Sequence, residues 1–275
     1  MSRGARDAAG PGRSGPAAAK GWRLVLVAAL CLRAGFAAAI VSDFSDLWWN
    51  PAESGWGMQL VRGGDATFAT LYVYDAKERP LFYTATLSAA GTVWSGTLNE
   101  TTGTYFGAGA YDPAKVTVRG VGVMTFAPTN SETAIVSYSV DGIDVTKSVT
   151  RQTLRLENLS GAFAIATQRA TTHCPDASMN VERTTLETAT VAHAGNAITV
   201  DWTAGDRTCR LAGTYIQAGR LGAAQTSYTC DDGEAGDMAL FELHKRDGFL
   251  TGRFQGHAIT NGCDYRGRVS AFVPE

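Results

Sequence analysis

Residues 209–230, CRLAGTYIQAGRLGAAQTSYTC, decide the fold because they form a hairpin pattern with a cysteine at each end. Gly219-Arg220 has glycine at its first central position, as a two-residue type II′ turn requires. Pairing outward from this turn sets Cys209 opposite Cys230, at a non-hydrogen-bonded pair where Cα atoms lie about 4.5 Å apart. A disulfide accepts that separation. The stretch therefore predicts two antiparallel strands joined by a Cys209–Cys230 disulfide.

The other two cysteines outside the N-terminal segment indicate how the strands close. Cys174 follows the first strand pattern of this half of the chain, and Cys263 precedes its last. Two such strands that pair antiparallel to close a barrel bring these ends together, so we expect a Cys174–Cys263 disulfide. Zinc is the competing interpretation because His173 adjoins Cys174, but the chain has no Cys-x-x-Cys pair. An even cysteine count in an exported chain favours disulfides, and we expect no metal and no cofactor.

Short runs of alternating apolar and polar residues, broken by Gly, Asn and Asp turns, surround the hairpin and are typical of antiparallel strands. Eight runs fall in the second half and seven in the first. The sequence predicts an all-β chain of two tandem small antiparallel up-and-down β-barrel (or sandwich) domains. The first domain spans 40–157, and the second, disulfide-stapled domain spans 158–275. The expected strands are 55–62, 66–74, 80–87, 92–99, 116–126, 132–140 and 145–154, then 160–169, 182–193, 197–202, 207–216, 221–230, 237–245, 249–257 and 264–272.

Residues 1–39 have the pattern of a signal peptide. A basic leader precedes the apolar run LVLVAALCL at 24–32, and Ala37-Ala38-Ala39 supplies the small residues that a signal peptidase needs. The run is shorter than the roughly 20 residues that span a bilayer, so we expect no transmembrane anchor after cleavage. Cys31 follows Leu30 rather than a small residue, which disfavours lipidation. The protein is therefore predicted to be exported, to the bacterial periplasm or the extracellular space.

Charge excludes a nucleic-acid partner. Residues 1–39 hold six of the 24 Lys and Arg but one of the 26 Asp and Glu, so the rest of the chain has a net charge of about −7. No basic cluster remains to form an electrostatic footprint for nucleic acid. Mild acidity of this kind favours solubility. The sequence carries no signal for the oligomeric state.

Residues 47–57, LWWNPAESGWG, concentrate aromatic and polar groups. Flat apolar rings beside a carboxylate and an amide suit a sugar or a small aromatic ligand. In the competing interpretation, the tryptophans close the end of a barrel and the carboxylate fixes the entry loop. The candidate ligand-binding residues are Trp48, Trp49, Asn50, Glu53 and Trp56.

This segment, with FATLYVYD at 68–75 and RPLFY at 79–83, resembles a group of uncharacterised exported bacterial proteins. Their recurring signature is W-W-N-P-x-E-S-G-W-G, followed by F-A-T-x-x-x-Y-D and a P-L-W-Y-like strand, in which Phe82 here replaces the usual Trp. In the second half, GTYIQ at 213–217 is similar to the companion segment of that group. The resemblance implies export and carries no established activity.

The sequence shows no catalytic motif. Ser54 lies in ESGWG, which is not the G-x-S-x-G of a nucleophile elbow. Glu53 with Asp43 or Asp46 offers a pair of glycosidase-type carboxylates. The loop at 231–237, DDGEAGD, lacks the spacing of a calcium loop, so we expect a solvated hairpin turn.

We therefore expect a non-enzymatic exported barrel protein that binds a small molecule, a glycan or a surface partner. One alternative is a structural or adhesive envelope module without a small ligand. The other is a hydrolase that uses the carboxylate pair.

Overall fold

A computed structural model describes residues 43–274, so the predicted signal peptide, residues 1–39, lies outside the described residues. In this part of the chain, sixteen strands form two closed antiparallel barrels of eight strands each. Within each barrel, strands that are consecutive in the chain pair with each other, and the first strand also pairs with the last. The predicted all-β architecture of two tandem barrels is confirmed.

The first barrel comprises β1 to β8. Their bounds are β1 Asp46–Trp49, β2 Gly57–Gly63, β3 Ala66–Tyr74, β4 Pro80–Ala90, β5 Val93–Thr102, β6 Thr117–Pro128, β7 Thr133–Val140 and β8 Ile143–Arg151. The second barrel comprises β9 to β16. Their bounds are β9 Gly161–Thr172, β10 Glu182–Ala194, β11 Ala197–Ala204, β12 Arg207–Ala218, β13 Leu221–Cys230, β14 Ala235–Arg246, β15 Phe249–Ala258 and β16 Asp264–Phe272.

The first barrel has one strand more than the seven expected. The additional strand is β1, inside the tryptophan-rich segment, and it closes the barrel by pairing with β2 on one side and β8 on the other. Its four residues, DLWW, do not alternate in polarity, and Pro51 follows directly. A short strand without alternation gives no period-two signal, which is why the sequence predicts no strand before residue 55.

The hairpin that predicted the fold is confirmed. Cys209 lies opposite Cys230 in the register of β12 and β13, and Gly219 has the positive φ of 63° that its turn needs. Both expected disulfides are present, with Cα–Cα distances of 3.9 Å for Cys209–Cys230 and 4.2 Å for Cys174–Cys263. The second joins the ends of β9 and β16, the two strands that close the barrel.

The tip of the β12–β13 hairpin contacts the first barrel at β1. Asp46 Oδ2 accepts hydrogen bonds from Arg151 Nη1 on β8 at 2.8 Å and from the backbone N–H of Arg220 at 3.0 Å. The Arg151 side chain is fully buried, and Asp46 is nearly so. Leu221 packs against the core of the first barrel. One carboxylate therefore ties the closure of the first barrel to the hairpin of the second.

Candidate functional site

The two barrels differ in how completely their interiors are filled. In the first, large inward side chains pack into one continuous core. Those that are at most 1% exposed include Trp48, Met58, Leu60, Met124 and Phe126. The Trp48 and Phe126 rings meet edge to face, with centroids 5.0 Å apart. The first barrel is a filled core.

The second barrel is hollow. Its core consists of two separate clusters, one around Phe163, Tyr215 and Leu250, the other around Tyr228 and Phe254. Between them lies a cavity of about 130 Å³. Most of its wall is apolar and includes Ile165, Val191, Ile198, Val200, Leu240 and Val269. Eight-stranded barrels either fill their interior or hold one small ligand, and this barrel has the space for a ligand.

The size of the cavity limits the ligand. An engineered protein cavity of about 150 Å³ lined by aliphatic and aromatic side chains binds benzene. The space here is therefore suited to an apolar group of about one six-membered ring. Trp202, which also lines the cavity, is the one tryptophan in residues 158–275. Its fluorescence can report on whatever enters.

A polar strip crosses the wall of the cavity on β9 and β10, formed by Thr167, Arg169 and Glu187. Glu187 Oε1 accepts hydrogen bonds from the Thr185 hydroxyl and, at 3.3 Å, from Thr167 Oγ1. The two threonine hydroxyls lie 2.6 Å apart. Two hydroxyls on neighbouring strands thus fix the orientation of a carboxylate inside the barrel.

Sequence reasoning missed Glu187. Along β10 the neighbouring Leu186 is 84% exposed, whereas Glu187 faces the cavity, so the apolar residue points outward and the charged residue inward. The signal that identifies Glu187 is its position relative to Ala189 and Val191, which are buried. Alternate residues of a strand lie on the same face, so Glu187 lies on the inward face with them. Pairing of β10 with β11 starts at Thr188, so Glu187 adjoins the point where the wall between these strands ends.

Arg169 lies two positions from Thr167 on β9, toward the C-terminal end of that strand. Its guanidinium carbon is 5.1 Å from the centroid of the Tyr265 ring, a cation–π distance. Opposite Arg169 in the register is Gly267, whereas Thr167 pairs with Val269 of the cavity wall. Arg169 therefore belongs to the end of the cavity, and Glu187 to its middle.

Beyond that end, Glu234 joins a set of polar side chains. It accepts hydrogen bonds from Tyr228 at 2.9 Å and Tyr265 at 3.2 Å, and pairs with Arg207 at 3.0 Å. Burial, with the nearby Glu234 charge, raises the pKa of Tyr228 above its usual value. The segment 231–234 is a turn as expected, but it is not simply solvated, because the Glu234 side chain is only 17% exposed. This arrangement closes the barrel beside its disulfides.

The tryptophan-rich residues named from the sequence are divided between core and surface. Trp48 is buried and donates its indole N–H to the Phe44 carbonyl at 3.0 Å. Trp56 is half-buried, packs against the core of the first barrel and donates to Glu53 Oε2 at 3.1 Å. Asn50 Oδ1 accepts the N–H of residue 52 at 3.0 Å and so stabilises the turn after β1.

A surface recess of about 370 Å³ lies beside Trp56. Trp48, Trp49, Trp56 and Tyr72 line it, together with Ser54 and Gln152. The recess combines flat apolar faces with hydroxyl and amide groups, a composition suited to a sugar ring.

The three carboxylates considered for hydrolysis lie in separate ion pairs. Glu53 pairs with Lys147 at 2.7 Å, and the hydrogen bond from this ammonium group lowers the pKa of the Glu53 carboxyl. Asp46 pairs with Arg151, and Asp43 with Arg220. Within residues 43–274, no group of His, Cys, Asp and Glu has the arrangement of a metal site. The same residues contain no helix of a length and apolarity that would cross a membrane.

No family model matches this chain, and no curated protein matches it. Among solved structures, the chain is similar to a point mutant of the vaccine antigen transferrin binding protein B from Haemophilus parasuis. The two are 7% identical with a TM-score of 0.23, over 82% of this chain and 68% of that one. A likeness of this size does not extend the function of that protein to this chain.

Proposed function

We propose that this chain is an exported, non-enzymatic binding protein whose second barrel holds a small molecule with an apolar part of about one ring. The observation that carries the proposal is the contrast between two barrels of equal strand number. One is filled by large side chains, and the other contains a cavity of about 130 Å³ with a mainly apolar wall and a short polar strip. A concave apolar site with a few polar groups is the usual form of a small-molecule pocket.

Export is supported by the disulfides. Cys174–Cys263 and Cys209–Cys230 are both formed in the structure, and such bonds persist in oxidising compartments. Together with the signal-peptide pattern of residues 1–39, they support a periplasmic or extracellular location. The resemblance to exported proteins with the W-W-N-P-x-E-S-G-W-G signature points to the same location.

The direct test is a titration of the protein, without residues 1–39, with single-ring probes such as benzene, toluene and benzyl alcohol. Trp202 fluorescence should change saturably because the ring lines the cavity. Ligands of this size that fill an apolar pocket bind with about −4 to −7 kcal/mol, so we expect Kd values of about 10 μM to 1 mM.

Two variants make that test specific. Trp202→Phe should remove the change in tryptophan fluorescence that the ligand causes, while calorimetry still detects binding. Val200→Phe should abolish binding by both methods and leave the circular dichroism spectrum unchanged. If calorimetry detects no binding of any probe to the wild-type protein, the proposal is refuted and the structural or adhesive module is favoured.

The recess beside Trp56 supports a second candidate function, glycan binding by the first barrel. Trp49, Tyr72 and Gln152, two aromatic residues and an amide, are among the residues that line the recess. Titration with a panel of oligosaccharides should show binding that Trp49→Ala removes and that Phe82→Ala, a change at another exposed aromatic residue, retains. A glycan that binds both variants equally would exclude this recess as its site.

A further inference from the structure

The proposed ligand site contains a carboxylate that the protein does not fully use. Glu187 lines the cavity, and both of its hydrogen bonds, from Thr185 and Thr167, go to Oε1. Within residues 43–274, no donor is hydrogen-bonded to Oε2 and no cation pairs with the group. A carboxylate offers about four acceptor sites on two oxygens. One oxygen is therefore available to a molecule in the cavity.

The position of Glu187 places that oxygen beside the apolar wall. Glu187 lies opposite Ile165 in the register of β9 and β10, and its partner Thr167 lies opposite Val269 on β16. Both Ile165 and Val269 line the cavity. A ring that contacts these two side chains therefore lies in the same cavity that Glu187 lines.

The threonines make this carboxylate a site of fixed geometry. Thr185 and Thr167 face each other across β10 and β9, with their hydroxyls 2.6 Å apart. Both hydroxyls lie within hydrogen-bond distance of the same oxygen of Glu187, Oε1, which leaves Oε2 as the acceptor for a donor from the ligand. Hydrogen bonds between a charged donor and a carboxylate are about twice as strong as neutral ones.

We infer that the second barrel binds a small amine, in which a ring-sized apolar group fills the cavity and a protonated amino group donates to Glu187. This inference rests on the proposed function and specifies the chemical class of its ligand. The competing head group is an anion at Arg169. Arg169 is less suited to this role, because its guanidinium already stacks on Tyr265 at the end of the cavity.

Calorimetric titration with benzylamine, benzyl alcohol and benzoate at pH 7 tests the inference, since the three share one ring and differ in head group. We expect benzylamine to bind tightest and benzoate weakest. Glu187→Gln should weaken benzylamine by roughly tenfold or more and change benzyl alcohol by less than about threefold. Glu182→Gln on the same strand, an exposed position, should change neither.

The possible outcomes separate the two proposals. Tighter binding of benzoate than of benzylamine, or an unchanged benzylamine affinity in Glu187→Gln, would overturn the amine assignment while leaving the cavity as a ligand site. The absence of binding for all three probes would overturn the proposed function and this inference with it. Loss of all three probes in Glu187→Gln, with its fold intact, would make Glu187 a determinant of cavity shape and would also overturn the assignment.

Discussion

The contrast between the barrels predicts that one substitution has opposite effects on stability in each. Val200 packs against both core clusters of the second barrel and lines the space between them. Val136 is fully buried in the filled core of the first. Replacing either valine by phenylalanine adds four carbon atoms, which should fill space at the first position and displace neighbours at the second.

The magnitude follows from the cavity volume. Empty core volume costs about 24 cal/mol per Å³, and filling it recovers that free energy. The added carbons occupy roughly 50 Å³, so Val200→Phe should stabilise the second barrel by about 1 kcal/mol. Overpacking a filled core costs about 1–3 kcal/mol, which is the expected effect of Val136→Phe. The two variants should differ by about 2–4 kcal/mol.

Native-state hydrogen exchange, measured by mass spectrometry on peptides from each barrel, gives the free energy of opening for the two barrels separately. Protection should rise in β11 to β13 for Val200→Phe and fall in β6 to β8 for Val136→Phe. A loss of protection in Val200→Phe as large as that in Val136→Phe would mean that both interiors are equally filled. That result would contradict the proposed difference between the two barrels.

Three further predictions concern stability. Removing the Cys174–Cys263 disulfide, whose cysteines are 89 positions apart, should lower the free energy of unfolding by about 4–5 kcal/mol. Removing Cys209–Cys230, with a separation of 21, should lower it by about 3–3.5 kcal/mol. Urea titration measures both losses, and a larger loss for Cys209–Cys230 would contradict a stabilisation that comes from the entropy of the unfolded chain. Asp46→Asn should cost about 3–5 kcal/mol in the same assay, because it leaves a buried guanidinium without its carboxylate, whereas the exposed Asp144→Asn should change little. Burial lowers the pKa of His244, so its contribution to stability is present above its unfolded pKa of about 6.5 and is lost as the pH falls below that value; His244→Gln should flatten this part of the pH profile, and an unchanged slope would contradict it.

The sequence determined the fold because its strongest signals are local. The turn at Gly219-Arg220 and the cysteines at 209 and 230 fix the register of a hairpin without knowledge of the other strands. The second disulfide required only that the first and last strands of the half meet. By contrast, β1 could not be recognised, because a four-residue strand shows no alternation and its partners lie on β2 and β8.

The cavity could not be predicted because filling is a property of all eight strands together. Residues such as Ile165, Val200 and Val269 lie on three different strands, β9, β11 and β16, and they leave space only when the fold brings these strands around one cavity. Glu187 was missed for a related reason. The order Leu186-Glu187 suggests a buried leucine and an exposed carboxylate, and only the parity set by the buried Val191 reverses it.

The residues of the tryptophan-rich segment, 47–57, share an unusual composition but lie in different parts of the first barrel. Trp48 serves the core of the first barrel, while Trp49 and Trp56 line a surface recess. Composition alone does not distinguish these positions, because Trp48 and Trp49 differ in the face of β1 that they occupy, and Trp56 lies just before β2. Whether the recess binds a glycan is the subject of the titration proposed above.

The most direct test of the difference between the filled first barrel and the second barrel with its cavity is a crystal structure of the protein under xenon pressure. Xenon occupies empty apolar cavities in proteins, so it locates unfilled space without reference to any ligand chemistry. We expect a xenon site in the second barrel, in contact with Val200, Leu240 and Val269, and no xenon among the core side chains of the first. Xenon inside the first barrel, or its absence from the second, would contradict the claim that one barrel is a filled core and the other a binding cavity.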